Sequence, residues 1–416
     1  MAREAVAITL KPNRLNPPSW LASSSSRSKA SIGFHSITSF FRIHSPFLTT
    51  NSCFLPSPPL LSFFFLYHLI FATPPPRTFP PHGTRDSTQQ TTHFHTPYRW
   101  GQAHALIQET LWIFGGKTDP YNQFSYTSAP NTNDLFQLDL SQSFDLSNPP
   151  WRIENSCGNN SGCQGPLVAF HSLSAYNPSH MLLFGGQPDP NSDIVLPDLA
   201  DSAWMLDVDN STNPVWADEP QGWAGEPSRR IFHSASSSGG KVFIIGGQKA
   251  DGSQTAFSQH EVFDSTGPTF TALPTANGPP DLYGHTSLVL RNGSLLVFGG
   301  YSQSQNDMLS FSIIWILDTL ADTFTWSLAR IDNTTLPTTR RNFAAVVLLD
   351  GRILIHGGSD AVLQTTYSDG WILDTTQDPM VWTQEDSLSI LGPRRDHMAV
   401  AIGSVVMFGF GASPVG

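Results

Sequence analysis

Five apolar runs in this chain end on a pair of glycines: LWIFGG (residues 111–116), MLLFGG, VFIIGG, LLVFGG and ILIHGG, the last four closing at Gly186, Gly247, Gly300 and Gly358. A degenerate sixth, VVMFGFG, ends at Gly411. The pairs begin at 115, 185, 246, 299 and 357 and the degenerate one at 409, so the spacings are 70, 61, 53, 58 and 52. A period near fifty residues, lengthened by insertions, has the length of one blade of a propeller. Gly (32), Pro (33), Phe (28) and Trp (11) are abundant while only 13% of residues are charged, which favours strands and turns over helices.

Other features keep step with the glycines. Each glycine run follows a strand-like segment: AHALI, HSLSA, HSASS, HTSLVL, FAAVVLL and HMAVAI. After each full pair come a loop and an aromatic–apolar–Asp segment (DLFQLD, AWMLDV, HEVFD, IWILDT, GWILDT), then an aromatic at Trp151, Trp216, Phe270, Trp326 or Trp382. That makes four short strands per repeat, bounded by turn residues. The glycine pairs Gly115–Gly116, Gly185–Gly186, Gly246–Gly247, Gly299–Gly300 and Gly357–Gly358 are structural, ending a strand where a side chain would not fit. The outer aromatics fill the space between adjacent sheets, because no single repeat can bury its own faces.

The glycine doublet, the later Trp, and the Arg and His ahead of the first strand resemble the kelch family of β-propellers, from about Tyr98 to Gly416. The resemblance implies an all-β propeller of four-stranded antiparallel blades, with five full repeats and a partial sixth. The sixth supplies two strands before the chain ends, so the last blade is expected to be incomplete, and TTHFHTPY could lend it one outer strand.

Residues 1–90 read as a separate region and 91–416 as the propeller. The first 85 residues hold eight basic residues and one acid, a sum of +7, whereas the rest holds 14 basic and 32 acidic, a sum of −18. An acidic body repels phosphate backbones, so nucleic acid is not an expected partner. The region is rich in Ser and Pro and contains an apolar run over 60–72, short for a membrane helix but suited to a signal. An internal signal or signal-anchor, an extended N-terminus ahead of a true signal, and a transit peptide or plain disorder all fit it. Secretion, or exposure on the outer side of a membrane through such an anchor, is therefore expected, with a cytoplasmic protein as the alternative. Cys157 and Cys163, six apart in a polar loop, are expected to form a disulfide, and Asn159, Asn210, Asn292 and Asn333 to be glycosylation acceptors.

His104, His171, His233, His285 and His397 are placed at the start of the innermost strands, with Ala344 in the fifth repeat. A ring of imidazoles would suit a metal, but the family resemblance implies a structural role between blades, so no metal or cofactor is expected. His356 replaces a core hydrophobe and is expected to be buried against a backbone partner. Arg230, Arg341 and Arg394 are read as three residues ahead of that position; they could bind partner carboxylates or form Arg–Asp bridges between blades.

The connections after the glycine pairs are long and emerge on the same face as the inter-blade links, where Tyr121, Phe124, Tyr126, Trp223 and Tyr301 stand. The expected function is a non-enzymatic module, a monomer, that binds a protein or glycan on this face. The alternative is a carbohydrate-active or oxidase-type enzyme on a propeller similar to galactose oxidase. That site needs a tyrosine crosslinked to a cysteine, a second tyrosine and two histidines, and the propeller's two cysteines sit together in one loop.

Overall fold

A computed structural model describes the backbone of Ala5–Thr9 and residues 98–413, apart from 122, 146–147, 155–164, 190–201 and 219–221. Cys157, Cys163, Asn159 and the apolar run 60–72 lie outside the described residues. Asn210, Asn292 and Asn333 are exposed.

The repeats form five four-stranded antiparallel sheets, each a simple meander. The first blade runs through Ala103–Ile107, Thr110–Phe114, Leu135–Asp139 and Arg152–Ile153. The second begins at Val168–Ala175, the third at Ser234–Ser238, the fourth at Thr286–Val289 and the fifth at Ala344–Val347. In each, the second strand is buried and leads into the glycine pair, as in Lys241–Ile245 before Gly246.

The sixth blade differs from expectation. Met398–Ile402 pairs with Val405–Gly409, and the far edge of that strand is taken by Ala5–Thr9, antiparallel, with Ala5 opposite Gly409. The third strand thus comes from residues 5–9, inside the stretch read from sequence as a leader, while 91–97 of TTHFHTPY lie outside the described residues. These five residues, 5–9, group with the propeller. Composition hid them, because a five-residue strand in a Ser/Pro-rich region acquires its identity only from the edge it covers.

One joint repeats between blades. Gly247 N–H donates to Leu282 O of the next blade at 2.6 Å, and Gly116, Gly300 and Gly358 make the same bond to Val168, Arg340 and Arg394. Glycine is required here. Gly246 has φ +56°, and a Cβ on it would lie 2.3 Å from Leu282 O and 3.0 Å from the His285 ring. Its partner Gly247, at φ +95°, would drive a Cβ to 2.8 Å from the Cβ of His233 in its own blade. One glycine therefore admits the neighbouring blade and the other its own inner strand.

The outer aromatics reach back in the same direction. The Trp216 ring lies 4.7 Å from Phe114, Phe270 5.9 Å from Phe184, and Trp382 6.0 Å from Phe298. Trp382 Nε1 also donates to Phe311 O at 3.1 Å. These contacts fuse neighbouring sheets into shared apolar clusters, so the core lies between blades.

Candidate functional site

Short pairings fix which loops share a face. Arg230–Ile231, just ahead of an inner strand, pairs with Gln248–Lys249 just after a glycine pair, and Leu282–Tyr283 pairs likewise with Tyr301–Ser302. The inter-blade links and the post-glycine loops therefore emerge together, beside the axis.

The pairing register corrects two of the sequence alignments. Ala103 pairs with Phe114 as Ser234 pairs with Ile245, so Gln102, not His104, corresponds to His233. Ala344 pairs with His356, so Phe343, not Ala344, holds the histidine position in the fifth blade. Three residues ahead then stand Arg99, Arg230, Arg340 and Arg394, with Arg341 one step further along. A Gly-X-Ala and an Asn-Phe-Ala sequence contain no His to mark the register, so only strand pairing reveals it.

The histidines serve the joints. His233 Nε2 lies 2.9 Å from Ser172 Oγ and His285 Nε2 2.8 Å from Ser234 Oγ, each in the preceding blade. The His171 ring packs edge-on to Phe114 of the preceding blade, centroids 5.6 Å apart. His397 Nε2 meets His356 Nδ1 at 3.0 Å, and His356, fully buried, bonds the Ser368 carbonyl at 3.2 Å. Burial pushes His171, His285 and His356 down to about 3, so all are neutral at ordinary pH. Among the described residues no three His, Cys, Asp or Glu side chains gather as a ligand set.

Most of the arginines are similarly committed. Arg230 is 1% exposed; its Nη1 donates to Gly246 O (3.1 Å) and Gln259 O (3.0 Å), and the guanidinium lies 4.1 Å over Phe257. Arg340 donates to Gly357 O and forks onto Asp369 at 2.7 and 2.9 Å, and Arg99 bonds Gly115 O and Asp134. These arginines thus hold the glycine turn of their own blade, and the Arg99–Asp134 and Arg340–Asp369 bridges each run within one blade. Arg394 is buried and donates to Leu391 O at 2.6 Å.

Arg341 stands apart. It is partly exposed, its guanidinium lies 5.3 Å over the Tyr283 ring, and its buried Nε has no hydrogen-bond partner among the described residues. Tyr283 in turn packs on Tyr301 at 5.3 Å, whose hydroxyl donates to Asn306 Oδ1.

Beside Arg341 the axis is closed by backbone. Gly101, Phe170, Phe232, Gly284, Asn342 and Asp396, one per blade, all have φ between +51° and +64°. Successive N–H groups donate to the previous carbonyl: Phe170 to Gly101 (2.7 Å), Phe232 to Phe170 (3.3 Å), Gly284 to Phe232 (2.8 Å), Asn342 to Gly284 (2.8 Å) and Asp396 to Asn342 (3.0 Å). Gln102 Nε2 completes the circle on Asp396 O at 3.4 Å. Behind this collar lies a cavity of about 330 Å³ lined by the inner strands.

On the collar's outer side, Asp396 accepts from Tyr126 Oη (2.6 Å) and Asn342 Nδ2 (2.7 Å). Burial raises the Asp396 carboxyl, countered in part by Tyr126, Arg395, Asn342 and Arg341. Burial and Asp396 together hold the Tyr126 phenol well above its usual value. Arg395 lies 4.5 Å over the Tyr126 ring.

The expected aromatics therefore separate. Tyr126 and Tyr301 border the axis, and Tyr121, 79% exposed, stands on the first blade's loop. Trp223 does not join them: it packs against the apolar cluster shared by the second and third blades, and its neighbour Ala224 bridges to Thr269 of an outer strand. Sequence reasoning missed Asp396, Asn342 and Arg395. The double Arg at 394–395 was the signal available, and its second member is the one that faces the axis.

Fold and face together define a β-propeller whose blades are joined by glycine doublets. A sequence profile described as the KLHDC2/KLHL20/DRC7 Kelch-repeats domain matches residues 232–414. Adagio-like protein 1 of Oryza sativa subsp. japonica is 30% identical over 260 residues, 60% of this chain and 38% of that one. Adagio-like protein 3 of the same organism is 29% identical over 291 residues, 69% and 41% of the two chains. Acyl-CoA-binding domain-containing protein 4 of Arabidopsis thaliana is 31% identical over 176 residues, 41% and 24%. The chain spans about two fifths of the length of the Adagio-like relatives it matches. Over residues 232–414 the chain is similar to kelch-repeat domains, and its blades have the strand order and glycine doublets of that similarity.

Proposed function

We propose that the propeller is a non-enzymatic binding module whose partner is a protein segment, docked on the loop face beside the axis with a carboxylate at Arg341. One observation carries this reading: Arg341 is an axis-side arginine whose buried Nε has no hydrogen-bond partner among the described residues, while Arg230 and Arg340 are spent on carbonyls and Asp369. A partly buried cation stacked on Tyr283 offers its fork to an incoming carboxylate, and the Tyr283–Tyr301 pair supplies flat apolar surface next to it.

A phage-displayed random peptide library panned on the protein tests the reading. Selected peptides are expected to be enriched in Asp or Glu, and Arg341→Glu to weaken them about tenfold or more, roughly 1.4 kcal/mol. Substitutions in the opposite-face turn 209–214 should leave binding unchanged. The reversed pattern would put the binding face on the other side of the ring. Binding to a glycan array but to no peptide, with the same dependence on Arg341, would replace a protein partner by a glycan.

A further inference from the structure

Two loops on the same face are built alike. In the loop after the first glycine pair, the Asp119 carboxylate accepts from the N–H groups of Gln123 (2.9 Å) and Phe124 (2.7 Å). In the loop after the fifth pair, Asp360 accepts from Gln364 (2.8 Å) and Thr365 (3.0 Å), the same four- and five-residue offsets. Each carboxylate closes a turn, and Tyr121, Phe124 and Val362 stand outward on these turns. Tyr121 is 79% exposed, Phe124 49% and Val362 68%.

The two turns are tied to one floor. Arg395 stacks on Tyr126 of the first loop at 4.5 Å, and its Nη1 donates to Leu363 O (3.0 Å) and Thr366 Oγ1 (3.2 Å) of the other. Asp396 fixes Tyr126 from the sixth blade. The apolar tips thus belong to one pre-organised surface spanning the fifth, sixth and first blades. Of the other strongly exposed apolar residues, Leu320 (66%) and Leu349 (56%) sit in hairpin turns of the opposite face and Leu328 (61%) on an outer strand.

We propose that Tyr121, Phe124 and Val362 form the apolar half of the docking surface. They take one or more large apolar side chains of an extended peptide whose carboxylate lies at Arg341. The ligand class is therefore a short segment that combines an acidic residue with an aromatic or branched aliphatic one. This rests on the reading of Arg341 as the anchor. Rigid turns that present apolar groups lower the ordering cost of binding, since the tips are already in place before the partner arrives.

The test uses the full chain and the library-selected peptides. The consensus should carry an acid and a large apolar residue at a fixed spacing. Tyr121→Ser with Phe124→Ser, and separately Val362→Ser, should each weaken binding about fivefold or more without lowering Tm, because the side chains are exposed. Leu320→Ser with Leu349→Ser should change nothing. If Arg341→Glu abolishes binding while the tip variants bind within about twofold of the parent, the apolar half is overturned and the anchor stands. An acidic consensus with no apolar position also overturns it. If Arg341→Glu has no effect, or no peptide is selected, both fail.

Discussion

The backbone N–H of Gly411 donates to the carbonyl oxygen of Arg99 at 2.9 Å. This is the bond that Gly116, Gly247, Gly300 and Gly358 make to the following blade, here made from the last blade to the first. Trp151 supports the same junction by reaching back to Phe410 at 6.1 Å, as Trp216 reaches Phe114. The ring among the described residues therefore closes with the joint that builds it. Phe410 occupies the place of the first glycine at φ +61°, and the facing position holds Gln102 instead of a ring, which leaves the volume that Phe410 fills.

The joint should be intolerant of a single methyl. Gly246→Ala places a Cβ 2.3 Å from a backbone oxygen at a positive φ, and should cost about 2–4 kcal/mol. Urea denaturation measures it; a loss below about 0.5 kcal/mol would mean the blades separate freely there. Gly239→Ala, with nothing within 4 Å, should lose much less.

The N-terminal strand should contribute to the last blade. A chain lacking Met1–Leu10 exposes the edge of Val405–Gly409, and should show a lower Tm and new protease cuts after residue 398. Unchanged melting and digestion would show that Ala5–Thr9 adds nothing to closure.

Acid should weaken the ring through its histidines. His171, His285 and His356 are held near 3 in the folded state against about 6.5 unfolded, so between those values the unfolded chain binds the extra protons. Stability is complete above about pH 6.5 and falls as pH drops, by up to about 1.4 kcal/mol per unit for each group. His285→Phe, which copies the fifth blade's Phe343, should flatten the slope of stability against pH between 6 and 4. A parallel slope in the variant would remove His285 from the cause.

The Arg340–Asp369 fork should matter most above the carboxylate range. Burial raises Asp369, but the Arg340 hydrogen bonds and charge prevail and leave it below its ordinary value. Its contribution is present above the unfolded pKa of about 3.9 and disappears as pH falls through the lower folded value. Asp369→Asn leaves the buried Arg340 uncompensated and should cost about 3 kcal/mol at pH 7. The gap between variant and parent should narrow below about pH 4. A gap independent of pH would assign the loss to packing.

Period and composition were sufficient for the blades, because each glycine doublet, aspartate and outer aromatic answers to a local steric demand that recurs at every joint. The register of the inner strands was less legible. His104 and Ala344 were aligned by residue type, and only their pairing with Ile113 and His356 shows each out of step with the joint histidines. Trp223 was equally deceptive: a Trp in a long loop reads as exposed, yet it packs against the apolar cluster shared by the second and third blades.

What the sequence determined by itself is the repeating unit, since strands, turns and inter-blade joints depend on residues within one or two periods of each other. The tertiary structure decided which side chains remain available. Arg230, Arg340, Arg341 and Arg395 are alike in sequence, but the circle of left-handed residues around the axis turns the first two into their own blades and leaves the others on the open face. It also decided that residues from the far end of the chain supply the third strand of the last blade, because an unpaired strand edge takes whichever segment can reach it.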